Sequence, residues 1–425
     1  MDINRKTALL CLIDIEKNGS YSNIALNRAI RENRAADPAF VRELVYGVLK
    51  NKYLLDHYLK QFIKKGFSGL RTYELCILRM GAYQILFMGS VPGYAACSET
   101  VELAKKYCKG KTGFINGVLR SIERNSDDLE GPSEEDHAEY IRIRYSVEKW
   151  IADLLIKAYG YEKTLKFMEK VNEAPDLCLR VNLLKTDRMS IMKELSEEGF
   201  EVMPSEVSSR SVLAKGSGIL ESKAFREGRF AVQDQASTLA ADTLCAERGM
   251  TVCDVCAAPG GKTAAIAEMM GNEGIIYAFD IYEHKLKLMD ELMERNGITI
   301  VKTGIGDGSI LDPELVGKCD RVLCDVPCSG LGVMGRKPEI KYRKEYDIRE
   351  LADTQKKILE NASKYLKPSG VLVYSTCTVD PCENGDVVNA FLADHSEFKK
   401  ESEIDLDPVK SGTDGFYICK IIREA

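Results

Sequence analysis

The feature that most constrains the fold is an alternation of short apolar segments with helical patterns, which runs from Phe230 to the end of the chain. Such alternation is typical of a parallel sheet with helices on both faces. We therefore predict an α/β domain over residues 229–425. The predicted strands are TVCDVCA, IIYAFD, TIVKTG, RVLCDV, VLVYST and FYICKII. Because ligands of such sheets lie beyond the carboxyl ends of the strands, we expect the functional residues directly after each strand.

The chain before this domain has two other patterns, so we predict a multidomain protein. Over residues 1–126, apolar residues recur at helical spacing, which predicts an all-α bundle. Residues 126–139 contain seven acids and no Lys or Arg, and they indicate a solvated linker. Residues 140–228 combine a helical stretch around Trp150 with the strand pattern LCLRVNLL. They predict a small α+β domain.

Charge is distributed unevenly along the chain. Residues 41–125 contain fourteen Lys or Arg and six Asp or Glu, a local charge of +8 in a chain whose net charge is −6. A basic region within an acidic protein is expected where one face contacts phosphate groups, as in RNA binding. A set of solvated helix faces explains the same charges equally well.

The composition argues against membrane and secreted classes. No segment approaches the roughly 20 apolar residues of a membrane helix. The apolar run near the N-terminus is interrupted by Asp14 and Glu16, unlike a signal peptide. Fourteen cysteines at irregular spacing favour the reducing cytosol. We expect a cytoplasmic protein without a membrane partner.

The first three strand ends suggest a cofactor that contains adenosine. Asp280 ends the second strand, where an acid typically accepts hydrogen bonds from ribose hydroxyls, and Asp307 follows the third strand in a Gly-Asp-Gly turn. Glycines after the first strand allow the backbone to approach a ligand, and the next helix offers its N-terminal amides. This loop consists of Cys256, Ala257, Ala258, Pro259, Gly260, Gly261 and Lys262.

The same loop discriminates between cofactors. It differs from a P-loop by having Cys256 where glycine is required, and it lacks the G-x-G-x-x-G of dinucleotide binders. An acid on the second strand contributes to ribose binding and is no part of nucleoside triphosphate chemistry. We therefore predict S-adenosylmethionine. An NTPase or RNA-binding assembly factor that uses this near-P-loop is the alternative.

Cysteines follow the fourth and fifth strands. The fourth ends at Asp325, with Cys328 three residues later, and the fifth ends at Cys377. Neighbouring strands lie ~5 Å apart, so these side chains can converge beside the cofactor. Carbon 5 of cytosine becomes nucleophilic only after a thiolate adds to carbon 6, and that reaction needs a cysteine, an acid and a base. The three residues are candidates for these roles.

Two other interpretations concern neighbouring residues. A structural zinc site would use Cys324, Cys328, Cys377 and Cys382, but we expect no metal. The segment Gly335–Glu350, which contains Lys341, Tyr342 and Tyr346, is predicted to contact a polyanion whose bases stack on aromatic rings. A solvated surface loop is the alternative for this segment.

The motifs CAAPGGKT, GDG, DVPCSG and STCT, with the acid at Asp280, resemble those of the NOL1/NOP2/Sun family of RNA cytosine-5 methyltransferases. RELVYGVLKN, ETVELAKKY and FINGVLR resemble the NusB-like helical domain, an RNA-binding fold. The resemblance covers most of the chain and is weakest over residues 140–228. It implies a NusB-like domain, a linking α+β domain and a Rossmann-like class I methyltransferase domain.

The resemblance also implies a substrate and residue roles. The substrate would be a cytosine in small-subunit ribosomal RNA. Cys377 would bond carbon 6, Cys328 would act in the release step, and Asp325 would hold the base. Cofactor contacts would come from residues 256–262 and from the three acids Asp280, Asp307 and Asp325. A regulatory RNA-binding module with an inactive catalytic domain is a further alternative, but such a module has no need for both cysteines.

Overall fold

The computed structural model describes residues 1–173, 175–216 and 218–425, and for residues 346–349 it describes the backbone alone. Contacts divide the chain into two units. The first contains Met1–Glu173 and Met334–Lys344, and the second contains Ala174–Val333 and Glu345–Ala425. In the described part of the chain, no helix is long and apolar enough to cross a membrane.

The first unit is helical, which confirms the predicted N-terminal bundle. Its central helix is α5, which buries residues on every side, as its nearly continuous apolar sequence requires. Close packing of α3 against α5 depends on Gly47, where a Cβ atom would lie 1.9 Å from the Tyr83 ring. The helices are α1 (Ile3–Asn18), α2 (Ser22–Asn33), α3 (Pro38–Lys50), α4 (Lys52–Phe62), α5 (Thr72–Phe87), α6 (Gly93–Tyr107), α7 (Thr112–Arg124), α8 (His137–Arg144), α9 (Lys149–Tyr159) and α10 (Tyr161–Asn172).

The segment Met334–Lys344 packs inside this first unit, which corrects part of the sequence prediction. Lys341 is fully buried, and its ammonium group donates to the Tyr145 carbonyl oxygen at 2.9 Å and to the Asn172 side chain. The Tyr342 hydroxyl donates to a helix α3 carbonyl. The predicted RNA contact is therefore wrong for these two residues, because their polar groups are already bonded to the protein. Tyr346 lies outside the described side chains.

The second unit begins with a small antiparallel sheet, so the predicted α+β fold is confirmed. The helix around Trp150, which was predicted to belong to the same domain, lies in the first unit. The strand order of the small sheet is β2-β3-β1-β4, and every pair is antiparallel. On one face of this sheet, apolar residues of the strands pack against apolar residues of α11. The elements are β1 (Leu177–Val181), α11 (Arg188–Glu197), β2 (Glu201–Pro204), β3 (Ser211–Lys215), α12 (Lys223–Arg226) and β4 (Phe230–Val232).

A seven-stranded sheet follows, with strand order β10-β11-β9-β8-β5-β6-β7. Buried apolar residues on both faces of this sheet form two core clusters, which positions the strand ends rigidly. The elements are α13 (Gln235–Thr243), β5 (Thr251–Asp254), α14 (Gly261–Met269), β6 (Ile275–Asp280), α15 (Glu283–Asn296), β7 (Val301–Ile305), β8 (Cys319–Asp325), α16 (Tyr346–Tyr365), β9 (Leu366–Thr376), α17 (Gly385–Asp394), β10 (Phe398–Leu406), α18 (Pro408–Ser411) and β11 (Phe416–Arg423).

The sheet is parallel only in part. Strands β5 to β9 pair in parallel, as predicted, whereas β11 is antiparallel to β9 and to β10. The sequence FYICKII is therefore not a parallel strand, because β10 precedes it and the short connection returns the chain in the opposite direction. Strand order reverses between β5 and β8, which opens a crevice at their carboxyl ends.

Candidate active site

The loop after β5 lies at this crevice and begins helix α14. The Ala257 amide donates to the Phe279 carbonyl on β6 at 2.7 Å, and the Gly260 amide donates to the Ala257 carbonyl at 2.8 Å. Gly260 has φ 95°, a left-handed conformation that favours glycine. The result is a tight turn that leaves the first amides of α14 directed toward the crevice, where they favour an anionic or polar ligand.

Two acids and an apolar cavity lie at the ends of β6 and β7. Asp280 is 8% exposed and accepts a hydrogen bond from the Tyr282 amide at 2.9 Å. Asp307 lines a cavity of about 200 Å³ whose other walls include Val255, Phe279 and Ile310. A mostly apolar cavity with a carboxylate at its edge suits a flat heterocycle next to a hydroxylated sugar. These residues therefore fit the adenosine part of S-adenosylmethionine.

Lys262 and Asp325 form an ion pair at the ends of β5 and β8. The lysine Nζ lies 2.7 Å from Asp325 Oδ2, and the Ser375 hydroxyl donates to Asp325 Oδ1 at 2.8 Å. The same Nζ lies 5.2 Å from the centre of the Phe416 ring. Burial lowers the pKa of Lys262, but the Asp325 carboxylate outweighs that effect and the pKa is raised. The lysine is therefore a fixed cation in a largely desolvated site.

The two predicted catalytic cysteines are brought together. The Sγ atoms of Cys328 and Cys377 lie 3.2 Å apart, although 49 residues separate them in the chain. The hydrogen bond with Cys377, burial and the charge of Cys377 raise the pKa of Cys328 well above its usual value. The Cys377 carbonyl accepts from the Gly332 amide at 3.0 Å, which ties the loop after β8 to the end of β9. This loop requires glycine at position 332, because a Cβ atom there would lie 1.9 Å from the Gly415 carbonyl oxygen.

Sequence reasoning missed several neighbours of these residues. Ser375 and Phe416 contact the Lys262–Asp325 pair, and their identity as strand residues gave no functional signal. Asp254 is fully buried and accepts from the Thr263 hydroxyl at 2.7 Å. Burial raises the pKa of Asp254 to about 7. Its position at the end of β5 could have marked it, since acids are rare inside apolar strands.

Among the residues that the structure describes, no group of three or more His, Cys, Asp or Glu side chains could hold a metal ion. Cys324 is fully buried and Cys382 is exposed. The cysteines considered for zinc are therefore divided between the core and the surface.

Comparisons with known proteins identify the family. Residues 241–422 match the family "16S rRNA methyltransferase RsmB/F", residues 2–124 match the NusB family, and residues 147–217 match the ferredoxin-like domain of RsmF/B-like methyltransferases. "Probable ribosomal RNA small subunit methyltransferase B" of Bacillus subtilis is 37% identical over 99% of this chain and 98% of its own length. This chain belongs to the RsmB/F family of 16S rRNA methyltransferases. The predicted family, its NusB-like region and the methyltransferase fold are confirmed.

Other similar proteins agree with this RsmB/F assignment. Ribosomal RNA small subunit methyltransferase B of Escherichia coli O7:K1 is 32% identical over 96% of both chains. The crystal structure of PH0851 has a TM-score of 0.83 and 27% identity over 99% of this chain and 98% of its own. A methyltransferase homologue from Pyrococcus horikoshii has a TM-score of 0.62 and 27% identity over 68% of this chain and 99% of its own.

As an RsmB/F methyltransferase, the protein uses S-adenosylmethionine, which confirms the predicted cofactor. The alternative of an NTPase is not favoured, because the family is one of methyltransferases and Lys262 is paired with Asp325.

Proposed function

We propose that this RsmB/F protein transfers the methyl group of S-adenosylmethionine to carbon 5 of a cytosine in small-subunit (16S) ribosomal RNA. The observation that carries the proposal is the pair of sulfur atoms of Cys328 and Cys377, 3.2 Å apart at the ends of β8 and β9. Two thiols this close suit a reaction in which one forms a bond and the other handles a proton.

Cys377 is the nucleophile in this proposal. Its thiolate adds to carbon 6 of the cytosine, which makes carbon 5 nucleophilic enough to take the methyl group. Thiolate formation is favoured because the ammonium group of Lys262 interacts electrostatically with Cys377. When bound, S-adenosylmethionine supplies an electrophilic methyl group on a positively charged sulfur.

Cys328 acts after methyl transfer. The proton on carbon 5 must leave before the bond between Cys377 and carbon 6 can break, and Cys328 is the acceptor. Before the adduct forms, its hydrogen bond to Cys377 and the charge of Cys377 keep Cys328 protonated. Once Cys377 is bonded to carbon 6, that charge is gone and the Cys328 thiol can release its proton to solvent. The resulting thiolate then accepts the proton from carbon 5.

Asp325 orients the reacting groups. Its carboxylate accepts from Lys262 and from Ser375, so its position at the end of β8 is fixed. We infer that it holds the N3 edge of the cytosine and that it also approaches the cofactor, as Lys262 does. The other cofactor contacts come from Cys256, Ala257, Ala258, Pro259, Gly260, Gly261, Lys262, Asp280 and Asp307.

The three parts of the chain divide the work. Residues 1–126 form the NusB-like RNA-binding domain, and residues 140–228 form a domain that binds or links RNA. Residues 229–425 form the methyltransferase domain. The +8 charge over residues 41–125 supports RNA affinity in the helical part, since phosphate contacts supply most of the sequence-independent affinity.

The test measures transfer of radioactive methyl groups to unmodified 16S ribosomal RNA. The wild type should label one or few cytosines, located by bisulfite sequencing. Cys377→Ala should lose at least about 1000-fold in rate, because the covalent route is closed. Cys382→Ala, which removes an exposed cysteine five residues later, is the matched control and should keep wild-type activity. Labelling by Cys377→Ala at the wild-type rate would contradict the proposal.

A further inference from the structure

Glu383 is a buried carboxyl group next to the cysteine pair that the proposed reaction does not use. It is 0% exposed and lies in the short turn that follows β9. One oxygen, Oε2, accepts from the Ser329 amide and from the Gln355 side chain, each at 2.8 Å. The other oxygen, Oε1, is buried without a hydrogen-bond partner among the described residues. A carboxyl group is costly to bury in this way, so it needs an explanation.

The hydrogen bonds of Glu383 reach both chain neighbours of Cys328, Ser329 directly and Pro327 through Gln355. Ser329 follows Cys328 in the chain, and Gln355 of α16 also donates to the carbonyl oxygen of Pro327, which precedes Cys328, at 2.9 Å. Gln355 is itself fully buried. The backbone around Cys328 is therefore bonded on both sides to one rigid pair, Glu383 and Gln355.

One further bond connects this pair to β9, which ends directly before Cys377, and another connects Ser329 to Thr378, the residue after Cys377. The Tyr374 hydroxyl donates to the Glu383 carbonyl at 2.6 Å. The hydroxyl groups of Ser329 and Thr378 lie 2.7 Å apart. As a consequence, the position of Cys328 relative to Cys377 is set by Glu383, and movement of the Cys328 turn requires these buried bonds to break.

The charges around the two sulfur atoms differ. Lys262 interacts with Cys377, whereas Glu383 interacts with Cys328 and adds to the effects that raise its pKa. Asp325 and Asp254 are the other acids near Lys262. This asymmetry favours negative charge on Cys377 and a proton on Cys328 before the reaction, which is the arrangement that the proposed function requires.

We propose that Glu383 is a positioning residue for the release step, which holds Cys328 against Cys377 through the Ser329 amide and Gln355. The inference rests on the proposed function. Without Glu383, carbon 6 can still be attacked and carbon 5 methylated, because Cys377, Lys262 and Asp325 are untouched. The proton on carbon 5 is then removed slowly, because Cys328 is displaced, and the RNA stays bonded to Cys377.

The experiment compares Glu383→Ala and Glu383→Gln with wild type on unmodified 16S ribosomal RNA. Single-turnover methyl transfer, multiple-turnover rate and protein–RNA adduct on a denaturing gel are measured together. Glu383→Ala should transfer the first methyl group within about threefold of wild type, lose at least tenfold in multiple turnover and accumulate adduct. Glu383→Gln keeps an oxygen for both donors, so it should recover most of the turnover.

Two controls separate a positioning role from a general loss of structure. Asp380 is a buried acid of the same turn, and its side chain accepts a hydrogen bond from the Cys382 amide. Asp380→Asn should keep the turnover of wild type and accumulate no adduct. Gln355→Leu removes the partner of Glu383 and should also accumulate adduct. This variant tests the inference if Glu383→Ala does not fold. Wild-type turnover in both Glu383→Ala and Gln355→Leu would overturn the inference, as would equal losses in single and multiple turnover.

The same gel distinguishes failure of the inference about Glu383 from failure of the proposed function. Cys328→Ala is run beside the other variants as the reference for trapped RNA. If Cys328→Ala traps RNA and Glu383→Ala does not, the inference about Glu383 is wrong and the proposed function stands. If Cys328→Ala traps nothing and wild type labels no cytosine, the proposed function fails first.

Discussion

Lys262 and Lys341 are both removed from solvent, but their surroundings are opposite. The side chain of Lys262 is 13% exposed and pairs with the carboxylate of Asp325 at a strand end. Lys341 is 0% exposed, and its partners are carbonyl oxygens and an amide from three other parts of the first unit. Burial acts on both, yet the pKa of Lys262 is raised by Asp325, whereas the pKa of Lys341 falls well below its usual value.

This difference separates a lysine that acts in chemistry from one that stabilises a fold. A cation held by a single carboxylate near the Cys377 thiol can interact with a developing charge on the substrate or on that sulfur. A lysine enclosed by neutral acceptors has no position left for a ligand, and its removal leaves those acceptors unpaired. Variants at the two positions should therefore affect different quantities.

The largest effect is expected for Lys262→Met. Loss of the cation removes the charge that favours the Cys377 thiolate, so the rate of methyl transfer should fall about 100- to 1000-fold. The midpoint of thermal unfolding should change little, because Asp325 stays partly exposed to water. Labelled-methyl transfer and calorimetry test this. Lys341→Met is the comparison, and its activity per folded molecule should remain near that of wild type.

The next largest effect is the pH dependence of stability that is caused by Asp254, the buried acid at the end of β5. The pKa of Asp254 is about 7 in the folded protein and near 3.8 ordinarily, because burial disfavours its charge. The folded state therefore keeps this proton when the unfolded chain has lost it. Its stabilising contribution is present below pH 4 and is lost as pH rises through 7. Relative to Asp254→Asn, wild type should lose up to about 4 kcal/mol of unfolding free energy over this range.

Chemical denaturation of both proteins at several pH values measures this difference. The difference in unfolding free energy between wild type and Asp254→Asn should shrink or change sign from pH 4 to pH 7.5. Parallel stability profiles would show that Asp254 is not the protonated acid inferred from its burial.

The smallest effect is expected for Lys341→Met, and it concerns stability. The substitution keeps the side-chain volume but leaves the Tyr145 carbonyl and the Asn172 amide without their donor. The unfolding free energy should fall by about 2 kcal/mol. The penalty for leaving buried acceptors unpaired is larger than the free energy gained by no longer burying the ammonium charge. Lys337→Met, at an exposed lysine of the same segment, is the matched control. Equal unfolding free energies of the two variants would show that Lys341 does not stabilise the fold.

The sequence predicted the parallel part of the sheet and the convergence of Cys328 with Cys377, because strand alternation and strand-end motifs are local patterns. It could not predict that β10 and β11 add in antiparallel orientation, since β10 has the polar sequence FKKESEIDL and no continuous apolar run. Its pairing depends on β11 and not on its own composition.

The burial of Lys341 was hidden for a related reason. Within its segment it looks like one of several basic residues of a surface loop. Its acceptors come from Lys50, Tyr145 and Asn172, which are distant in the chain. The same holds for Glu383, whose contacts with Ser329 and Gln355 bridge 54 and 28 residues. Tertiary contacts of this kind leave no periodic signal in a single sequence.

Capture of RNA by Cys328→Ala tests the proposed covalent reaction of the two cysteines. The variant is mixed with S-adenosylmethionine and unmodified 16S ribosomal RNA and run on a denaturing protein gel. We expect a slowly migrating band that RNase removes and that is absent from the Cys328→Ala/Cys377→Ala double variant. A band that persists in the double variant, or no band while wild type methylates the RNA, would contradict the roles given to the two cysteines.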